Sequence, residues 1–145
     1  FIKRSMTNLL HGAQEYPLFL LDPAIAASPG GGYWRQRLSY LIGQSSDKAV
    51  ANSVLCVEYF PYHSRKYKPC NLLHSQEYGF ELVRNAIRRG ATIVGLRSFR
   101  FWGKAVPELA TYAKYFQVNS TQNPTITKNN LPTGFDVVVE AINSK

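Results

Sequence analysis

The sequence predicts an α/β protein with three layers, in which helices cover both faces of a small central parallel sheet. Two observations predict this fold class. Apolar runs rich in β-branched residues at positions 54–57 and 91–96, with a shorter run at 115–118, have the length of buried strands. Segments with a helical spacing of apolar residues lie between and after these runs, and alternation of strand with helix is typical of a parallel sheet.

The first part of the chain is predicted to be irregular up to residue 32 and helical beyond it. The glycine-rich stretch 28–32 is typical of a loop that allows the backbone to approach a ligand closely. Trp34, Leu38 and Leu41 then follow at helical spacing, and Gly43 is expected to end this helix. The predicted strand 54–57 comes next.

The second half of the chain alternates between helix and strand. Ser75 is expected to cap a helix that ends at Gly90, and the strand 91–96 follows. A further helical region covers about 99–113 and is interrupted near Pro107. After the strand 115–118 and a polar loop, a last helix is predicted over 132–142.

Composition favours a single folded domain over residues 1–145. The hydrophobic content is 45%, and no apolar run is long enough to span a bilayer, so no membrane contact is expected. Cys56 and Cys70 have no disulfide or zinc pattern, which fits a reduced, cytoplasmic protein. The three histidines lack the spacing of metal ligands, and we expect neither a metal nor another cofactor.

The charge of the chain favours a polyanionic partner. The net charge of +8 arises from 17 Lys and Arg against 9 Asp and Glu, and DNA or single-stranded nucleic acid is the commonest partner of such a protein. Aromatic residues lie among basic ones at 33–35 and 97–102, which favours stacking on bases together with phosphate contacts. The alternative is that the charge serves only solubility.

Polar residues follow each predicted strand, at 58–64, 97–98 and 122–125. The carboxyl ends of parallel strands open at the same edge of a sheet, where ligands bind in α/β proteins, and we predict a site at this edge. Alternative interpretations remain: Glu58 as a strand end paired with Arg65, His63 as a turn residue, and the Asn-Pro at 123–124 as an ordinary turn.

Four segments resemble, in order, motifs of the uracil-DNA glycosylase superfamily. Residues 28–34, Ser-Pro-Gly-Gly-Gly-Tyr-Trp, are similar to the loop that pinches the DNA backbone. Residues 54–58 are similar to the strand whose last residue, usually Asn, reads the flipped base, and residues 93–98 to the strand of the Leu-Trp-Gly type segment. Residues 122–127, Gln-Asn-Pro-Thr-Ile-Thr, are similar to the loop that pushes the base out of the stack.

The resemblance implies a uracil-DNA glycosylase-like fold and a DNA-repair hydrolase, a candidate N-glycosyl hydrolase that holds a flipped or single-stranded base. It implies that Asn123 is the candidate catalytic residue, in contact with the base or the departing sugar. The implied base-binding residues are Glu58, Tyr59, Phe19 and His63, with Glu58 at the edge of the base and Phe19 or Tyr59 stacked on it. The implied nucleic-acid contacts are Arg35, Arg65, Lys66 and Lys128 on phosphates, Ile126 as a wedge, and Ser98.

Two departures from the family pattern limit the implied activity. The family's first strand and first motif, which positions the attacking water, are expected upstream of Phe1. Glu58 stands where Asn is usual, and a carboxylate only accepts hydrogen bonds, so it disfavours the exocyclic oxygen of uracil. The alternative is a non-enzymatic domain that binds nucleotides or nucleic acid.

Overall fold

The computed structural model of the chain describes residues 2–10, 12–61 and 71–144, and within them the protein is helix-rich with a small parallel sheet. The helices are α1 (Ile2–Leu9), α2 (Pro29–Gln44), α3 (Asp47–Ser53), α4 (Glu77–Arg88), α5 (Phe99–Ala105) and α6 (Phe135–Asn143). The strands are β1 (Ile93–Gly95) and β2 (Tyr115–Gln117). Single 3-10 turns cover Phe19–Leu21, Pro23–Ile25, His74–Gln76 and Pro107–Ala110. The α/β character is therefore confirmed.

The sheet of the described residues has two strands rather than three. β1 and β2 pair in parallel, with Ile93 opposite Tyr115 and Gly95 opposite Gln117. Residues 54–57 leave α3 in an extended conformation but join no strand, and Leu55 is 62% exposed. The prediction of a buried strand there is wrong. A β-branched run favours extended backbone locally, but a strand also needs a partner from elsewhere in the chain, which local sequence does not specify.

The described residues form two compact units. Unit 1 contains the described residues of Phe1–Cys56 and Val118–Lys145, and unit 2 contains those of Val57–Gln117. In unit 1, α2, α3, α6 and the turn Phe19–Leu21 contact one another. In unit 2, the β1–α5–β2 segment and the turn Pro107–Ala110 lie with α4 around an aromatic core. No helix in the described ranges is long and apolar enough to cross a bilayer.

The glycine-rich stretch 28–32 forms the first turn of α2 rather than a loop. Ser28 Oγ accepts a hydrogen bond from Gly31 N at 3.1 Å, and Pro29 occupies the first helical position. A Cβ atom on Gly31 would lie 2.5 Å from the carbonyl oxygen of Ile25, so no larger residue fits there. The glycine serves close packing of the helix start, and the sequence prediction of a loop is wrong because Ser-Pro followed by glycine suits a helix cap equally well.

The N-cap residue of α4 is Gln76 rather than the predicted Ser75, and the Gln76 side chain anchors the 3-10 turn that leads into the helix. The buried side chain of Gln76 accepts a hydrogen bond from Leu73 N at 2.9 Å and donates one to Tyr59 O at 2.5 Å. This links the segment after residue 57 to α4. Gly90, with a φ of 70°, ends the helix as predicted, because a left-handed residue at this position costs glycine least.

Candidate nucleic-acid interface

An aromatic cluster forms the core of unit 2, and Tyr59 lies at its centre. Its ring centroid is 4.8 Å from that of Phe60, 5.5 Å from Phe80, 5.5 Å from Phe101 and 5.2 Å from Trp102. Edge-to-face and tilted contacts at these distances are the favourable arrangements of aromatic rings. Tyr59 is only 7% exposed, which differs from the expectation that it stacks on a base. Its apolar ring area packs in the core instead.

One side of α5 combines cations with an exposed aromatic ring. Lys104 lies four residues after Arg100 and three after Phe101, so it neighbours both on one side of the helix, which we call the basic face of α5. Phe101 is 47% exposed although its ring also contacts Tyr59. Arg100 and Lys104 are exposed and form no ion pair within the part of the chain that the structure describes. An exposed ring with two solvated cations beside it results.

Three carboxylates of unit 2 form ion pairs with the arginines of α4. Arg84 Nη1 lies 2.7 Å from Glu77 Oε1, and its guanidinium also pairs with Glu81 and Glu108, at 3.5 Å and 3.6 Å. Glu81 pairs in addition with Arg88. The hydrogen bond from Arg88 lowers the pKa of Glu81, and the hydrogen bond to Glu77 raises the pKa of Arg84. These three carboxylates therefore pair with the arginines of α4 and not with Arg100 or Lys104 of α5.

Glu58 and Ser98 also lie in unit 2. Glu58 is exposed, and its carboxylate forms no hydrogen bond or ion pair with the residues described. Ser98 is the residue before α5, with a left-handed φ of 58°, and its carbonyl accepts hydrogen bonds from Phe101 N and Trp102 N at 2.9 Å and 3.0 Å. Three predicted site residues, His63, Arg65 and Lys66, lie outside the described residues.

The loop of residues 119–131 in unit 1 is organised by Asn130. Asn130 Nδ2 donates to the carbonyl oxygens of Thr125 at 2.9 Å, Asn123 at 3.4 Å and Ser120 at 3.5 Å. Its Oδ1 accepts from Ser120 N at 2.7 Å. The Asn130 side chain therefore links the two ends of the loop by hydrogen bonds. Nothing in the sequence distinguishes Asn130 from the neighbouring Asn129.

Arg37 attaches this loop to α2, a contact that sequence reasoning missed. Arg37 Nη1 donates to Asn123 Oδ1 at 2.6 Å and to Thr125 Oγ1 at 3.3 Å, and the Arg37 carbonyl accepts from Ile126 N at 3.0 Å. The guanidinium carbon lies 4.8 Å from the ring centroid of Tyr33. The side-chain oxygen of Asn123 is thus engaged within the protein. Residues 37 and 123 are too far apart in sequence for any local pattern to reveal this contact.

The other predicted site residues of unit 1 have mainly internal contacts. Arg35 donates to Asp47 Oδ1 at 2.8 Å and to Leu21 O at 2.5 Å, which differs from the expectation that it binds phosphate. Ile126 is buried, which differs from the expectation of an exposed wedge. Lys128 is exposed and pairs with Asp136 at 3.1 Å. Phe19 is half-buried in its 3-10 turn beside α2.

The structure therefore gathers Asn123, Ile126 and Lys128 on one loop of unit 1, and Tyr59 and Ser98 around α5 of unit 2. Within the described ranges, no group of three or more His, Cys, Asp or Glu side chains has the arrangement of a metal site. Comparisons of the chain with protein-family models, with curated proteins and with solved structures find no match.

Proposed function

We propose that this protein binds single-stranded nucleic acid through the basic face of α5. The observation that supports the proposal is the position of Phe101, an exposed ring that contacts the aromatic core and lies beside Arg100 and Lys104. Stacking of bases on an aromatic ring, combined with cations that follow the phosphate backbone, is the general means of binding a single strand. The net charge of +8 adds long-range attraction.

Glu58 supplies the hydrogen-bond acceptor of this surface in our proposal. It immediately precedes Tyr59 and Phe60, whose rings lie 5.5 Å and 6.5 Å from that of Phe101. A solvated carboxylate accepts hydrogen bonds from an amino group or ring N–H of a base and repels an exocyclic oxygen. We infer a preference for bases with an exposed amino group over uracil.

We further propose that the chain is a uracil-DNA glycosylase-like protein with a three-layer arrangement. Two of the resembling segments support this, namely residues 93–98, whose strand β1 pairs in parallel with β2, and the loop of residues 122–127. Asn123 is then the candidate residue at the sugar. The second candidate function is a binding domain without glycosylase activity, which is favoured by the engagement of the Asn123 side-chain oxygen by Arg37.

The test compares two double variants that each remove two positive charges. The double variant Arg100→Ala with Lys104→Ala should weaken binding to every single-stranded oligonucleotide. The salt dependence should also become shallower, because the negative slope of log K against log salt should decrease in magnitude by about 1.4. Lys3→Ala with Lys48→Ala removes the same charge from unit 1 and should leave the slope near its original value. Equal losses for the two double variants, or no binding by the original protein at low salt, would contradict the proposal.

A Glu58→Gln variant tests the choice of base within the same titration. Binding of cytosine- and uracil-containing oligonucleotides should converge because the amide donates as well as accepts, and unchanged base preference would exclude a role for Glu58. Chromatography of the same reaction mixtures distinguishes the two candidate functions, since a glycosylase releases free base from the oligonucleotide and a binding domain does not.

A further inference from the structure

Two adjoining surface depressions in unit 1 are lined by hydroxyl and amide side chains. The larger encloses about 430 Å³ between α2, the loop of residues 119–131 and the start of α6. The smaller encloses about 280 Å³ and shares Thr127 and Asn129 with the first. The larger depression falls within the size range of about 300–1,000 Å³ of small-molecule sites. We call the two together the loop groove.

The charged groups of the larger depression cancel each other. Lys128 Nζ lies 3.1 Å from Asp136 Oδ2, and both side chains line the depression. The smaller depression is lined only by uncharged residues, which are Ser120, Asn123, Thr125, Thr127, Asn129 and Asn130. Asp136 would repel an anion in this depression and Lys128 would repel a cation. The groove therefore favours a neutral ligand with many hydrogen-bonding groups.

Several polar groups of the larger depression form no hydrogen bond with the residues that the structure describes. Within the described residues, the Tyr40 hydroxyl and the side-chain amides of Gln44 and Asn129 form no hydrogen bond. Two amides supply both donors and acceptors, which matches the hydroxyl groups of a sugar. These groups lie in a depression with the 58% exposed ring of Tyr40 and the apolar side chain of Phe135.

We propose that the loop groove binds a neutral oligosaccharide, with one pyranose ring stacked on Tyr40. The C–H face of a pyranose is apolar and its rim is hydroxylated, which corresponds to an aromatic surface surrounded by amides. The smaller depression extends the contact to a second sugar unit. The proposal does not rest on nucleic-acid binding at α5, since it uses residues of unit 1 alone.

Saturation-transfer NMR and calorimetry with cellotriose, chitotriose and maltotriose test the proposal. At least one trisaccharide should bind, with a dissociation constant of about 1 mM and no salt dependence. Tyr40→Ala should weaken that binding about tenfold, whereas Tyr40→Trp should retain it. Tyr78→Ala removes an equally exposed tyrosine from unit 2 and should leave it unchanged.

Three results would overturn the proposal. They are the absence of transfer to all three sugars, equal losses for Tyr40→Ala and Tyr78→Ala, and a loss of oligonucleotide binding rather than sugar binding on Tyr40→Ala. The Arg100 and Lys104 double variant should keep its sugar binding, which separates this result from the test of the nucleic-acid proposal.

Discussion

Unit 1 and unit 2 use their charged residues differently. Residues 57–117 hold 10 Lys and Arg against 4 Asp and Glu, whereas the rest of the chain holds 7 against 5. In unit 1, Arg4, Arg35, Lys48 and Lys128 each pair with a carboxylate. In unit 2, the arginines of α4 pair with three of the four carboxylates, and the cations of α5 form no ion pair among the described residues.

The two units also differ in how their polar and aromatic residues are employed. Unit 2 buries aromatic rings around Tyr59, and the loop of unit 1 is held by the amide of Asn130 and the guanidinium of Arg37. In both units, residues of the type that a binding motif requires serve the fold of their own unit. Tyr59 and Arg35 are aromatic and basic as a nucleic-acid site requires, yet both have internal partners.

The largest expected effect concerns the aromatic core. Tyr59→Ala should lower the free energy of unfolding by about 3–5 kcal/mol, because it removes a ring that four others contact. Tyr78→Ala, which truncates a tyrosine that is 62% exposed, should change it by less than about 0.5 kcal/mol. Urea unfolding measures both. A stable Tyr59→Ala protein that has lost oligonucleotide binding would reverse the assignment and make Tyr59 a stacking residue.

An intermediate effect is expected in the polar loop of unit 1. Asn130→Ala removes the hydrogen bonds to Thr125 O and from Ser120 N and should lower the free energy of unfolding by about 1–3 kcal/mol. Asn129→Ala is the matched control, since the side chain of Asn129 forms no hydrogen bond among the described residues, and we expect a change below about 0.5 kcal/mol. Faster hydrogen exchange of residues 119–131 should accompany the first change only. Similar losses for the two variants would indicate that Asn130 does not organise the loop.

The smallest effect is a pH dependence in unit 1. A hydrogen bond from Ala24 N lowers the pKa of the Asp22 carboxyl, and Arg4 lowers it further against the opposing effect of burial. A carboxyl whose folded pKa lies below the unfolded value of about 3.9 contributes stability above that pH and loses it as the pH falls through the folded pKa. The stability difference between the original protein and Asp22→Asn should therefore be present at neutral pH and disappear in acid, and it should be about 1 kcal/mol or less because solvent partly screens the pair.

Thermal unfolding of both proteins across the acid range checks this expectation. A difference that stays constant down to the lowest pH would mean that the ionisation of Asp22 does not cause it.

The local features of this protein can be predicted from its amino-acid sequence alone. Gly90 ends α4, Pro107 interrupts the helical region after β1, and the segments of β1 and β2 were predicted correctly, because these features depend on backbone preferences within a few residues. The mixture of basic and aromatic residues at 97–102 also indicated the surface that α5 presents.

Which candidate residues remain available to a ligand depends on the contacts that form when the chain folds. The contact of Arg37 with Asn123 joins residues 86 positions apart, and the burial of Tyr59 depends on rings from α4 and α5. Strand formation at 54–57 likewise required a partner strand that local sequence does not specify. Hydrogen bonds and burial between distant segments arise only when the chain is folded, and for that reason the sequence indicated the chemistry of the surface but not which side chains the fold would use for itself.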